Sequence, residues 1–385
     1  MFGRGLGDTY AVFLLPLERD FGWSRSQTTG VYSVYLLVHG FTAPLVGLFF
    51  DRIGPRWVYG AGLACIGGAF FFASSIDSLW QFYVFVGAMV GLGVSLNGMV
   101  PASALLSRWF RERLSTAIGI AYSSFGLGTL LLVPLAQHLI AEHTWRGAYR
   151  FLGGALLILA PLVMLLLPWR TFTAGSPAHR RPKAKAGAEG WTVRRALRSP
   201  VYWGLTQVFF FTAAGMFCVL VQLVAFLIDA GFPALTAASA YGAIGMMSAM
   251  SVMGSGFTSD RFGYRQVVSA SFIGTASGMA ILVAIAFSPA LWLLVLFVPV
   301  FGLCMGVRGP IVSSLASRYF AGPHVATIYG GIYAANAIGA AFGSFVGGVL
   351  HDFTGGYKVG LGLALVCIAI ATTPFWTVRE LRTFR

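Results

Sequence analysis

The sequence predicts an all-α membrane protein of twelve transmembrane helices in two pseudo-symmetric six-helix bundles, and three observations predict it. Hydrophobic residues make up 57% of the chain, charged residues only 10%, and there are 33 Phe, far more than a water-soluble domain of 385 residues would need. The apolar residues fall into runs of membrane-crossing length, about 20 residues each, and a chain of this size with short loops has room for about twelve. The stretch Gly47 to Arg56, GLFFDRIGPR, recurs as Gly256 to Arg265, GFTSDRFGYR, with the glycines, the Asp-Arg pair and the final Arg in register. A duplication about half the chain apart implies two halves of one plan.

Each copy lies between two long apolar runs, so each is a tight loop joining two membrane helices. Gly54 and Gly263 supply the backbone freedom of the turn. Asp51, Arg52 and Arg56, like Asp260, Arg261 and Arg265, sit where the chain reaches water, and Gly47 and Gly256 close the preceding helix. A second echo, LSRWF at Leu106 to Phe110 against ASRYF at Ala316 to Phe320, aligns the ends of helices 4 and 10.

Helix 1 runs from Met1 to about Leu17 and carries Arg4 and Asp8 with no polar leader, so its cytoplasmic half is expected to be missing. The polar turn Glu18 to Arg25 leads to helix 2, about Gln27 to Phe50; helix 3 follows at about Trp57 to Ser75 and helix 4 at about Leu79 to Ser107. Helix 5, about Leu114 to Ile140, holds Gly119, Gly126, Gly128 and Pro134, which suit close helix contact or a bend. Helix 6 spans about Ala148 to Leu167 and completes an N-terminal bundle over residues 1–168. Residues 169–199 hold GSPAHRRPKAKAGAEG and RRALRS, a basic linker without membrane-length apolar periodicity, and residues 200–385 form the second bundle and a short tail. Its helices are expected at about Val201 to Leu227, Leu235 to Phe257, Val267 to Phe287, Ala290 to Ala316, His324 to Leu350 and Val359 to Thr377.

The net charge of +14 follows the positive-inside rule. With the N-terminus inside, Arg52, Arg108, Arg111, Arg170, Arg181, Lys183, Arg194, Arg261, Arg318 and Arg382 are among the residues of one face, while the other holds only Arg19, Arg25, Arg146, Arg150 and Lys358. The basicity therefore needs no nucleic acid, and its partner is anionic membrane lipid. Cys65, Cys218, Cys304 and Cys367 all lie in apolar runs without metal-ligand spacing, so they are packing residues and no metal or other cofactor is expected.

Counting from the loops at about 1.5 Å per residue places a set of polar residues in one layer near the midplane. Arg308 lies ten positions before Arg318, Asp8 ten before Glu18, His39 twelve before Asp51 and Asn97 eleven before Arg108; Asn336 is about as deep in helix 11. An Arg at that depth costs about 2.5 to 3.5 kcal/mol, so these charges need partners or a water-filled cavity. Two arginines face one aspartate there, which leaves one cation over. Either Arg308 receives the carboxylate of an anionic substrate, or it pairs with Asp8 across the halves. Arg4 and Asp8 are spaced i, i+4 and can also bridge each other, Asp8 and His39 are the proton-carrying candidates, and Arg4 joins them in coupling. Tyr122, Tyr329, Tyr333 and Asn336 can line the cavity, the last three sharing one helical face. Gly339, Gly343 and Gly347 continue that helix as a seam of small residues for a neighbour.

The pattern G-x-x-x-D-R-x-G-x-R resembles the loop between helices 2 and 3 of the major facilitator superfamily, and the second copy its counterpart between helices 8 and 9. Within that family TYAVFLLPLERDFGWSRSQ resembles the first outer turn of the monocarboxylate transporter and oxalate:formate exchanger branch. Asp8 stands where animal monocarboxylate members carry a lysine, and helix 8 lacks the arginine or aspartate that the branch uses for its anion. The resemblance implies a secondary transporter working by alternating access, with the duplicated loops gating the cytoplasmic face. No phosphate-binding GxxxxGK[ST] loop and no nucleophile constellation is present, so the expected protein is not an enzyme. The expected cargo is a small organic anion such as a monocarboxylate, moved with a proton; the alternative is efflux of a neutral or amphipathic compound, with Arg308 structural. A monomer in a bacterial inner membrane, both termini cytoplasmic, completes the expectation.

Overall fold

The computed structural model describes residues 2–106, 109–110, 114–174, 191–320 and 324–383. The linker run 175–190 and most of the Arg108 to Arg113 loop lie outside these, as do the side chains of Asp51, Asp260 and Tyr122.

The fold is all-helical, with no strand among the described residues. We number the membrane helices α1 (Phe2–Asp8 and Tyr10–Phe21), α2 (Arg25–Ile53), α3 (Pro55–Ala73) and α4 (Leu79–Phe82, a π-helical stretch Tyr83–Met89, Val90–Leu96 and Met99–Leu106). One helical run, Leu114–Leu166, contains α5 and α6, divided at His143 and Thr144. Thr144 has φ +63°, a conformation that only a forced reversal imposes on a β-branched residue. The second half comprises α7 (Pro200–Leu220 and Leu223–Asp229), α8 (Ala234–Phe262), α9 (Tyr264–Phe287) and α10 (Leu291–Met305 and Arg308–Tyr319). It ends with α11 (Val325–Thr354) and α12 (Lys358–Thr372 and Pro374–Thr377).

Nine described helical segments are long and apolar enough to cross a membrane by length and composition; Ser123–Leu166 holds two spans, and α1 and α2 supply the rest. Trp80, Ile158, Phe257, Ile273 and Trp292 lie exposed on the outside, where only hydrocarbon would solvate them. The chain is an integral, multi-pass membrane protein.

The first expected boundaries shift. Glu18 to Phe21 stay helical, and the turn shrinks to Gly22, Trp23 and Ser24 because Ser24 caps α2 in a reciprocal box with Gln27. The duplicated loops are tighter than the motif implied. α2 passes to α3 through Gly54 alone and α8 to α9 through Gly263 alone, both at φ +82°. Each glycine N–H closes the preceding helix, on the carbonyls of Phe50 and Ser259.

Within each half the first and fourth helices are interrupted. α1 breaks at Thr9 and α7 at Val221 and Gln222; α4 breaks at Asn97 and Gly98, and α10 at Gly306 and Val307. Gly306 is required there, since a Cβ would lie 2.4 Å from the carbonyl oxygen of Ser248 in α8.

The bundles join along two seams. α2 packs on α11 and α5 on α8. Gly126 of α5 brings its backbone against Gly245 of α8, where a Cβ would meet the Gly245 oxygen at 2.5 Å. From Gly40, set against Ala337, the α2–α11 seam continues away from the duplicated loops, with Ser33 donating to the Ala341 carbonyl at 2.9 Å and Ser344 to that of Thr29 at 3.1 Å. Toward the loops the second segments of α4 and α10 pack mainly on helices of their own bundle. Among the described residues, contacts between the bundles therefore seal the face opposite the loops, while toward the loops the helix ends keep mainly to their own bundle.

The expected seam on α11 exists. Cβ atoms on Gly339, Gly343 and Gly347 would meet the carbonyl oxygens of Phe210, Ala214 and Cys218 on α7 at 2.2, 2.0 and 3.0 Å, so three glycines one turn apart fit three turns of the partner.

Candidate functional site

At the break in α1 a charged pair faces the opposite bundle. Arg4 Nε lies 3.2 Å from Asp8 Oδ1, so the i, i+4 bridge forms. Thr129 of α5 donates to Asp8 Oδ2 at 2.9 Å, and Tyr32 of α2 to Oδ1 at 3.5 Å. Three glycines admit this helix to its place: Gly3 lies against Asn97, Gly5 against the Gly128 backbone and Gly7 against the Tyr35 hydroxyl. Side chains on those faces would push the pair out of the layer.

Around the pair stands a ring of tyrosines from both bundles. Tyr32, Tyr35 and Tyr241 are the electrostatic neighbours of Arg4, and Tyr333 is one of Tyr35. Tyr32 also reaches Phe217 of α7, with ring centroids 6.3 Å apart. Arg4 keeps 30% side-chain exposure while Asp8 keeps 11%, so the arginine is the more accessible member of the pair. His39 lies one turn on from Tyr35 with its ring stacked on it at 6.2 Å; its Nδ1 has no hydrogen-bond partner.

Arg308 stands elsewhere. It opens the second segment of α10, 1% exposed, with its guanidinium 4.8 Å from the Phe272 ring centre and donating to Thr275 Oγ1 at 3.0 Å and Met216 Sδ at 3.1 Å. These contacts come from α9 and α7, so the side chain points into its own bundle. The cross-bundle pair of Arg308 with Asp8 is therefore corrected, because Arg4 and Thr129 already occupy the carboxylate. Among the described residues no carboxylate reaches Arg308, and its Nε and one terminal nitrogen are buried without a partner.

The remaining expected residues divide. Tyr329 and Tyr333 share one face of α11, 6.1 Å apart, and both stack edge-on against Phe209 of α7; Tyr333 is 38% exposed. Asn336 lies about one turn beyond Tyr333, half-buried. Asn97 turns toward α1 and α3 and donates to its own helix at the Gly93 carbonyl, 3.0 Å. In the loops Arg56 lies over Trp57 at 5.7 Å, Arg261 over Phe262 at 5.6 Å and Arg265 over Trp376 at 3.7 Å, while Arg52 is exposed. Gly47 meets Val100 of α4, and Gly256 faces open space. Sequence counting missed Thr129 and Tyr241: both belong to helices read only for their glycines or their lack of charge.

The model of the Major Facilitator Superfamily matches residues 1–257 and 248–383. Similar proteins include Monocarboxylate transporter 13 of Bos taurus, 25% identical over 360 residues that cover 94% of this chain and 82% of that one. Monocarboxylate transporter 12-B of Danio rerio is 26% identical over 407 residues, 98% of this chain and 84% of its own. Monocarboxylate transporter 3 of Mus musculus is 33% identical over 156 residues, 40% of this chain and 32% of its own.

Proposed function

The chain belongs to the Major Facilitator Superfamily, and from that premise we propose that it moves a small organic anion of the monocarboxylate kind together with a proton, by alternating access. The single observation that carries the reading is the Arg4–Asp8 pair on the wall between the bundles. While Asp8 is ionised it holds the guanidinium. A proton on Asp8 removes that claim, and the fork of Arg4 is free for the two oxygens of a substrate carboxylate. Thr129 keeps Asp8 in place in both states, since a hydroxyl donates to a carboxylate and accepts from a carboxylic acid. Proton and anion then load together and leave together, and the empty site restores its internal pair. Tyr35, Tyr241 and Tyr333 supply further donors around the cargo, with Tyr122, Tyr329, Asn97 and Asn336 flanking them, and His39 gives the proton a neighbouring stop.

In this reading the termini lie in the cytoplasm, the protein works as a monomer, and the site faces the cytoplasm in the present conformation. Gly47, Asp51, Arg52, Gly54 and Arg56, with Gly256, Asp260, Arg261, Gly263 and Arg265, form the gate on that face. A second reading is favoured by Arg308. Thr275, Met216 and Phe272 hold it as a structural cation, which suits a neutral or amphipathic cargo lodged among the tyrosines.

Uptake of labelled monocarboxylates into proteoliposomes under an imposed pH gradient separates these. Arg4→Ala, which removes the cation, is expected to lower uptake about 100-fold, the upper scale for lost hydrogen bonds to a charged group, and Arg4→Lys, which keeps the charge but loses the fork, to lower it less. Asp8→Asn should retain anion exchange yet lose its response to the gradient. Uptake that survives Arg4→Ala but not Arg308→Ala moves the anion to α10, and survival in both variants removes the anion altogether.

A further inference from the structure

At the sealed face one carboxylate caps a helix of the other bundle. Asp352 lies in the last turn of α11, exposed, and its two oxygens accept from the backbone N–H groups of Arg25 at 2.9 Å and Ser26 at 2.8 Å. Those are the first two residues of α2. The opening N–H groups of any helix lack partners within it and carry the positive end of its dipole. Ser24 satisfies the N–H of Gln27 from within the chain, at 3.3 Å, but the two donors before it are met from across the bundle interface.

Two neighbouring features show that this contact is set by close approach and is separable from the local structure of α2. Gly348, one turn before Asp352, has no room for a side chain: a Cβ would lie 2.0 Å from Thr29 Oγ1 and 2.9 Å from the Arg25 carbonyl oxygen. The Arg25 side chain pairs with Glu18 of its own bundle at 2.9 Å, an ion pair that relative movement of the bundles leaves intact, and its guanidinium also lies 5.7 Å from the ring centre of Tyr357 in the other half. Opening this face also breaks the bonds of Ser33 to the Ala341 carbonyl and of Ser344 to the Thr29 carbonyl, but among these hydrogen bonds only those to Asp352 have a charged acceptor. Water can take over both N–H groups when the face opens, because Asp352 is exposed and Ser26 half-buried.

We propose that Asp352 is the positioning residue that latches the face opposite the duplicated loops, and that its release from the α2 N-terminus is a step of every transport cycle. The proposal rests on alternating access but not on the cargo, and its test needs no substrate. Spin labels at Arg19 and Phe353, both exposed and one on each bundle, report the separation of that face by electron–electron distance measurement in the full chain. Asp352→Ala should raise the long-distance population at least about tenfold, as expected for losing hydrogen bonds to a charged acceptor. Asp352→Glu, which keeps the carboxylate, should restore part of the short distance. Gly348→Leu reaches the same opened distribution by wedging, with the carboxylate still present. An unchanged distribution in a folded Asp352→Ala protein overturns the proposal; if that variant does not fold, Asp352→Asn is judged by the same criterion. Gly348→Leu opening the face while Asp352→Ala does not would equally overturn it, by assigning closure to packing alone.

Discussion

Gly54 and Gly263 hold the same backbone angle, φ +82°, at two points of the chain that share only a short motif. With ψ at +166° and +147° both lie in an extended positive-φ region that is essentially glycine's own, where a Cβ costs about 1–3 kcal/mol, and here the space is open, so strain is the whole effect. Gly54→Ala and Gly263→Ala are therefore expected to lower stability by similar amounts, read as matching drops in thermal midpoint. A large difference between them would deny that the two turns are physically equivalent. Such a residue is legible in sequence because a one-residue reversal has few chemical solutions. The partner of a charge is less legible. Depth counting placed Asp8 and Arg308 in one layer, but depth says nothing of azimuth, and the i, i+4 geometry of Arg4 settles the pairing at 3.2 Å. Thr129, which holds the same carboxylate, gave no signal, since a lone threonine in a membrane helix more often bonds its own backbone.

Helix existence and order could be read from apolar runs, and so could the α11 seam, because glycines four apart leave a groove that only another helix backbone fills. Replacing Gly343 by Leu would set a side chain on the Ala214 carbonyl, at a position where even a Cβ lies 2.0 Å away. Overpacking of this kind costs about 1–3 kcal/mol, and α7 cannot shift without disturbing its breaks at Val221 and Gln222. Gly343→Leu should accordingly unfold at lower temperature than Gly362→Leu, where nothing lies within 4 Å. Equal loss in the two would remove the seam from the account. The paired breaks in α1 and α7, and in α4 and α10, were not legible. An apolar run stays apolar through a single non-helical residue, and Gly98 and Gly306 are two glycines among 49. They matter because an interrupted helix lets its two segments tilt separately, and both α1 and α10 break beside a charged residue.

Across the whole molecule, the duplication and the charge asymmetry yield the architecture, but neither reveals which face is shut. The shut face is held by contacts at Ser33, Thr29, Gly348 and Asp352, in the proposed cycle the loops would hold the other, and no residue pattern ranks the two. If transport requires the shut face to open, tying it must stop transport without damaging the site. Cysteines placed at Ser26 and Phe353, in a background with the four native cysteines replaced, lie on opposite bundles beside the Asp352 contact. A short cleavable bis-thiol linker should join them readily in the sealed conformation and reduce uptake to the level of empty liposomes. Cleaving it should return the rate of the unlinked protein, whereas either cysteine alone, treated identically, should transport throughout. A linked protein that still carries cargo at the unlinked rate would mean that the bundles do not part at this face, and the sealed and parted ends would then be fixed features of the fold.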